Sequence, residues 1–105
     1  LSPRALLVDQ VARAAAMGFD ALGASEFEFI LLSETAASAT AKAYEGLTTH
    51  AQENRCWSGL YPASGAAFIR DYDRCLRDGD VPLHHICSEL GPGCLEAALS
   101  VRPLP

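Results

Sequence analysis

"SEFEFI", residues 25–30, is the stretch on which the reading of this chain turns. Alternation along an extended strand puts Phe27, Phe29 and Leu31 on one face and Glu26, Glu28 and Ile30 on the other. The first face suits a core. The second carries two carboxylates pointing the same way, their Cβ atoms about 6.5–7 Å apart at a rise of about 3.3 Å per residue. Two unit charges about 6 Å apart repel by roughly 3 kcal/mol at an effective dielectric of about 20, so a fold that holds them together needs a compensating group.

Upstream of this stretch, Ser2 as N-cap and Pro3 at the first helical position open a helix over residues 3–17. Its apolar residues Leu7, Val11, Ala14 and Ala15 recur at helical spacing until Gly18, which suits a left-handed terminator. Residues 19–32 then read as one strand. Residues 33–44, rich in Ala, Ser and Thr, fit either a short helix capped by Ser33 or an ordered loop. Residues 45–64 have no clear period and read as a long loop, a feature that often carries function. Ala67, Phe68, Tyr72, Cys75 and Leu76 predict a helix over 65–77, stopped by Asp78-Gly79-Asp80. Residues 81–90 and 94–101 are strand-like runs joined by Gly91-Pro92-Gly93, which predicts an antiparallel hairpin.

The order of elements implies an α+β fold, a mainly antiparallel sheet with helices packed on one face. Three strands leave open edges, so more chain or a partner is expected. The start at Leu1 without an initiator Met fits a segment of a longer polypeptide.

The hairpin returns to the question of charge. Glu89 lies just before its turn and Glu96 just after it, so the two are expected to converge across neighbouring strands and to place four carboxylates on one sheet face. Compensation can come from protonation, from Arg70, Arg74, Arg77 or Arg102, or from a hard divalent cation, which prefers oxygen ligands. A Mg²⁺ or Mn²⁺ site is the economical answer. Taken by itself, Glu-x-Glu fits an edge strand whose face meets water; the second pair on a Gly-Pro-Gly hairpin argues for the cation. Glycoside hydrolysis also uses paired carboxylates, but Trp57 is the only Trp available for a sugar-binding groove.

The totals bound the function classes. A chain of 105 residues, half of them hydrophobic, supports one core and is expected to be one domain, 1–105, or part of one. A net charge of −5 and a pI near 5.0, without a run of Lys or Arg, argue against nucleic acid or an anionic membrane surface as partner. Its apolar stretches end well short of the roughly 20 residues of a membrane span, and no targeting segment is read at the start. Cys56, Cys75, Cys87 and Cys94 allow three pairings, but a chain this apolar does not need staples; they read as reduced thiols of a cytoplasmic protein.

Two motifs in order carry a family resemblance: Gly23-Ala24-Ser25-Glu26-Phe27-Glu28-Phe29, after a helix ending "MGFDA", and some sixty residues later "HICSELGPGCLEAAL". Together they resemble the first part of the catalytic domain of glutamine synthetases, over residues 3–99. The resemblance implies an ATP-dependent ligase that phosphorylates the γ-carboxylate of glutamate and lets ammonia or an amine displace the phosphate. It implies that Glu28, Glu89 and Glu96 hold the Mg²⁺ or Mn²⁺ nearer the glutamate, and that Glu26 contributes to the ion nearer the nucleotide. A full-length homo-oligomer is implied as well. Where the family usually has Gly-Gln, this chain has Gly93-Cys94, so a polar side chain beside the metal glutamates is replaced. In the family a further histidine and glutamate, phosphate-contacting arginines and a β-domain of a neighbouring subunit complete the site, so the segment by itself is expected not to catalyse. The rival expectation is a non-catalytic binding or structural protein that keeps the fold.

Other candidates are weaker on chemistry. His84-His85 with Cys87 and Cys94 suggest zinc, with His85, Cys87 and Glu89 on one strand face, yet the spacing matches no common zinc pattern and the cysteines read as small buried or cross-hairpin residues. A Cys–His nucleophile would lack a nameable oxyanion donor. Asn54-Arg55-Cys56-Trp57 reads as a loop pinned to the core by Trp57 rather than as an interaction surface. Asp71-Tyr72-Asp73-Arg74 reads as a solvated helix face with local ion pairs.

Overall fold

Pairing of the Glu-x-Glu strand organises the larger part of the structure. The computed structural model describes residues 2–51, 56–58 and 63–104. Its elements in chain order are α1 (Pro3–Ala16), β1 (Leu22–Gly23), β2 (Glu26–Ile30), α2 (Ala36–Ala41), α3 (Ala63–Asp78), β3 (Leu83–Ser88), β4 (Cys94–Leu99) and β5 (Arg102–Pro103). The α+β class and the antiparallel pairing agree with the expectation. The chain divides into two compact units, Glu26–Leu99 and Leu1–Ser25 with Ser100–Pro105.

In the larger unit the strand order is β2-β4-β3, antiparallel throughout. As the central strand, β4 has neighbours on both sides, and Cys94, Leu95, Ala97 and Ala98 are all buried. Beyond it α3 packs against β3. Phe29 of β2 meets Phe68 and Tyr72 of α3, with ring centroids 6.3 and 5.6 Å away, and Phe68 stacks on Tyr72 at 5.7 Å. This aromatic cluster assigns α3 to the Phe29 face and leaves the glutamate face on the other side. The i,i+3 and i,i+4 ion pairs read from sequence are present on α3: Arg74 to Asp71 and Arg77 to Asp73, each at 2.9 Å.

Several boundaries move. The run read as one strand over 19–32 is two, because Leu22 and Gly23 pair with Pro103 and Arg102 while Glu26 onward pairs with β4. The second hairpin strand ends at Leu99, and β5 is a separate two-residue strand that Pro103, lacking an N–H, keeps short. The sheet content is therefore five strands in two sheets among the described residues, not three in one. The short helix exists, but its cap is Thr35 rather than Ser33: Thr35 Oγ1 accepts from Ser38 N at 3.0 Å and Ser38 Oγ accepts from Thr35 N at 2.9 Å, a reciprocal capping box. At the end of α3, Asp80 with φ of +55° takes the left-handed position, and Val81 N donates to Leu76 O at 2.8 Å. In the other unit Ser2 caps α1 as expected, accepting from Ala5 N at 3.2 Å, and Gly18 follows the helix with φ of +84°.

Two devices hold the glutamate strand in place. The first is Gly93 in the hairpin, whose carbonyl accepts from Leu31 N at 2.9 Å just past β2. Its φ is +71°, and a Cβ there would lie 2.9 Å from Leu31 O and 3.0 Å from Thr49 Cβ. The second is Glu34, whose side chain is only 6% exposed and accepts from Lys42 Nζ, Ser38 Oγ and, at 2.9 Å, Thr48 N. It ties α2 to the segment whose Thr48 O and His50 N bond to Ser33 N and Leu31 O, both at 2.8 Å.

Gly93→Ala should therefore destabilise the chain by about 1–3 kcal/mol, through both a strained φ and a clash. Gly91→Ala, with φ of +113° but nothing nearer than Cys94 Cβ at 3.9 Å, should cost less; urea unfolding of the two variants checks the order. The lysine, hydroxyl and amide donors hold the Glu34 carboxyl down at about 2 from an ordinary value of 4.5. A depressed carboxylate stabilises the fold above its unfolded value, so this contribution is present above about 4.5 and is lost as pH falls toward 2. Acid unfolding of Glu34→Gln should show a shallower loss of stability across that window than the parent.

Candidate metal centre on the carboxylate face

Strand register decides which side chains meet. Glu28 lies directly opposite Glu96, and Glu96 lies directly opposite Cys87, so the three form one row across β2, β4 and β3. In the next row Glu26 faces Ala98, and Ala98 faces His85. Directly opposed side chains on an antiparallel pair have Cβ atoms about 4.5–5.5 Å apart, close enough for Glu28 and Glu96 to share a ligand. The sequence reading of Glu26, Glu28 and Glu96 on one face thus agrees with the register. Glu89 differs in detail: it lies beyond the end of β3 at the level of Cys94, its N–H donating to Cys94 O at 2.9 Å, and Cys87 takes the place opposite Glu96.

Charge accumulates on this face. Burial raises the Glu96 carboxyl above its ordinary value, and the charges of Glu26, Glu89 and Glu28 raise it further; protonated His85, with Nε2 3.6 Å from Glu96 Oε1, acts the other way. Burial also pushes up the Cys94 thiol, with Glu28, Glu89 and Glu96 adding to the shift. The arginines of α3 do not supply compensation, since Arg74 and Arg77 bind aspartates on their own helix and α3 covers the opposite face. Among the described strand residues the register places on the glutamate face, Glu26, Glu28, Ile30, Cys94, Glu96, Ala98, His85 and Cys87, no lysine or arginine occurs. An oxygen-rich cluster with a partly buried, unneutralised carboxylate is a donor set that fits a hard divalent cation such as Mg²⁺ or Mn²⁺.

Glu89 is held separately. Trp57 Nε1 donates to its Oε1, while Oε2 accepts from Leu90 N at 3.1 Å and from the Cys56 thiol at 3.8 Å. The indole N–H and then the Leu90 N–H hold the Glu89 carboxyl below its ordinary value. Trp57 N also donates to Ser88 O at 2.7 Å, and Ser58 N to Ser88 Oγ at 3.3 Å, so this short segment lies along the outer edge of β3. Trp57 does not pin the loop to the core as expected from sequence: it is 76% exposed, and its polar edge clamps a carboxylate. Nothing local in the sequence signals a contact across 32 residues, although a lone Trp beside Cys56 in a long loop did mark the segment. Asn54 and Arg55 of the same motif lie outside the described residues.

His84, named with His85 as a zinc candidate, takes a position that the sequence did not foretell. The β3–β4 register shifts between Leu83 and His85, a bulge that leaves His84 as the extra residue. Neighbouring side chains on a regular strand point to opposite faces. Here the bulge lets the two rings meet, with Nδ1 atoms 2.9 Å apart. The four cysteines are free thiols, Cys94 buried and Cys87 half-buried, matching their reading as small hairpin residues. No helix among the described residues is long and apolar enough to cross a membrane.

Comparison with known proteins bears on this geometry. A family model described as the glutamine synthetase catalytic domain matches residues 1–104. The glutamate–isopropylamine ligase of a Pseudomonas species is 32% identical over 96 residues, covering 91% of this chain and 21% of that enzyme. The chain thus spans about a fifth of the length of the curated relative it matches.

Because the chain has a single Trp, its indole N–H gives one NMR resonance that reports the Glu89 clamp. Glu89→Ala should move that resonance upfield toward a water-exposed indole, whereas Glu45→Ala should leave it unchanged.

Proposed function

The chain belongs to the glutamine synthetase catalytic-domain family, and on that premise we propose that it is part of an ATP-dependent carboxylate–amine ligase. The charged sheet face is its contribution to the active site. In this reading Glu28, Glu89 and Glu96 hold a Mg²⁺ or Mn²⁺ nearer the glutamate, and Glu26 contributes to a second ion nearer the nucleotide. Such cations, when bound, neutralise the charge that builds on phosphate and carboxylate oxygens during phosphoryl transfer.

The chain's own residues supply position. Glu28 and Glu96 are held by a hydrogen-bonded strand pair whose other face packs through Phe29, Leu95 and Ala97, although Phe27, expected in the core, is exposed. Glu89 is aimed by Trp57 and kept ionised by that bond. Burial and the neighbouring carboxylates disfavour the charged form of Glu96, and a bound cation would favour it. The proposed reaction transfers the γ-phosphoryl group of ATP to the γ-carboxylate of glutamate or a related acid. The nitrogen of ammonia or an amine then attacks the acyl carbon, phosphate leaves, and the nitrogen loses a proton. An organic amine is suggested by the relative, whose name gives isopropylamine as its substrate. We place the activity in the whole protein, as a cytoplasmic homo-oligomer, with residues 1–105 as part of one catalytic domain that does not turn over by itself.

The observation that supports this reading is the pairing of Glu28 with Glu96, with Glu26 on the same face. Water-proton relaxation during Mn²⁺ titration tests it. Enhancement should be seen for the parent and for Glu45→Ala, and should be lost in Glu28→Ala and Glu96→Ala. Equal enhancement in all four proteins would overturn the assignment and leave a non-catalytic protein of this fold as the better reading.

A further inference from the structure

We propose that His85, Cys87 and Glu96 form a distinct site for a borderline-soft cation of the zinc class, bound by one nitrogen, one sulfur and one oxygen. The donor atoms of the three side chains lie within 4.8 Å of one another. His85 Nε2 is 3.6 Å and Cys87 Sγ is 4.0 Å from the same oxygen, Glu96 Oε1. Tetrahedral zinc with Zn–N and Zn–O near 2.0 Å and Zn–S near 2.3 Å requires donor separations of about 3.3–3.6 Å. The two edges to Glu96 Oε1 are within about half an ångström of that range and the His85–Cys87 edge is no longer than 4.8 Å, so closing the triad takes a shift of at most about 1.5 Å, which side-chain rotation can supply. Three protein donors leave a fourth position open.

The histidine pair orients the nitrogen ligand. With the shared proton on His85 Nδ1, that N–H donates to His84 Nδ1 and the His85 Nε2 lone pair points toward Glu96. Two acceptors then face each other at 3.6 Å, a repulsive arrangement that a cation between them converts into ligation. With the shared proton on His84 instead, Nε2–H of His85 is too distant from Glu96 for a good hydrogen bond. A ligand histidine whose other nitrogen is anchored by a neighbour is the usual arrangement around zinc, and here the β3 bulge makes that anchor possible. The thiol distinguishes this site from the carboxylate cluster, because sulfur selects against Mg²⁺. Charge is also suitable: thiolate and carboxylate together neutralise a divalent ion, and Glu26, Glu28 and Glu89 add attraction.

The proposal does not depend on the ligase reading, although Glu96 is common to both. Titration of the chain with Co²⁺, the optical stand-in for Zn²⁺, should produce a thiolate-to-cobalt charge-transfer band and the intense visible bands of four-coordinate cobalt. The bands should saturate at one ion per chain and disappear when Zn²⁺ is added. Cys87→Ser should abolish the charge-transfer band, with Cys87→Ala as a second variant and far-ultraviolet circular dichroism confirming the fold of both. His84→Phe should keep the band with about tenfold weaker Co²⁺ affinity, as expected for loss of an orienting partner. Cys75→Ser, on α3, should behave as the parent. A band that survives in both Cys87 variants, or no band in a folded parent chain, would overturn the site. Glu28→Ala separates the two readings, because it should lose Mn²⁺ relaxation enhancement while retaining the cobalt band.

Discussion

The antiparallel register between β2 and β4, which sets Glu28 opposite Glu96, is the constraint on which the rest of the larger unit depends. Like charges placed directly across a strand pair are unfavourable by themselves, so the opposite face must hold the register. Phe29 enters the aromatic cluster with Phe68 and Tyr72, and Leu95, directly across from Phe29, is fully buried. A slip of one residue would expose those groups and bury the glutamates. The hydrophobic face therefore pays for the charged one, and the geometry of the charged face follows from packing elsewhere.

Around that pair the structure adds polar restraints that a bare sheet would lack. Gly93 brings the hairpin carbonyl onto Leu31, so the end of the glutamate strand and the turn between Glu89 and Glu96 are one hydrogen-bonded unit. Glu34 ties the next helix to the returning segment with charge-assisted bonds. Trp57 reaches along the edge of β3 to Glu89. The first restraint acts three residues past Glu28 and the third on Glu89 itself, while Glu34 holds the segment that follows the glutamate strand. That is the pattern expected of a site built to hold carboxylates still rather than to let them separate in water.

Membership of the glutamine synthetase catalytic-domain family gives this arrangement its biochemical setting. Cys94 changes what the cluster presents. Cys94 is buried, and the negative face raises its thiol. Together with Cys87 and the histidine pair, it makes this face richer in sulfur and nitrogen than a purely carboxylate site. Hard and soft donors meet at Glu96, which borders both groups.

Much of the fold was legible because its signals are local. Ser2 and Pro3 cap α1 within one turn, the glycines of the hairpin permit their positive φ, and alternation sorts Phe29 from Glu28 two peptide bonds at a time. The same locality explains the errors. Residues 22–23 and 26–30 look alike in sequence but belong to different sheets, and Ser33 and Thr35 are equally good caps until Ser38 completes a box with one of them. Alternation and turn chemistry were enough to mark the strand face carrying Glu26 and Glu28, the hairpin between Glu89 and Glu96, and the family to which they point. Tertiary structure alone decided that Cys87 rather than Glu89 stands opposite Glu96, that a bulge brings His84 to His85, and that Trp57 grips Glu89. These depend on register and on contacts across tens of residues, where the energy of alignment comes from packing on the opposite face and leaves no mark on the nearby sequence.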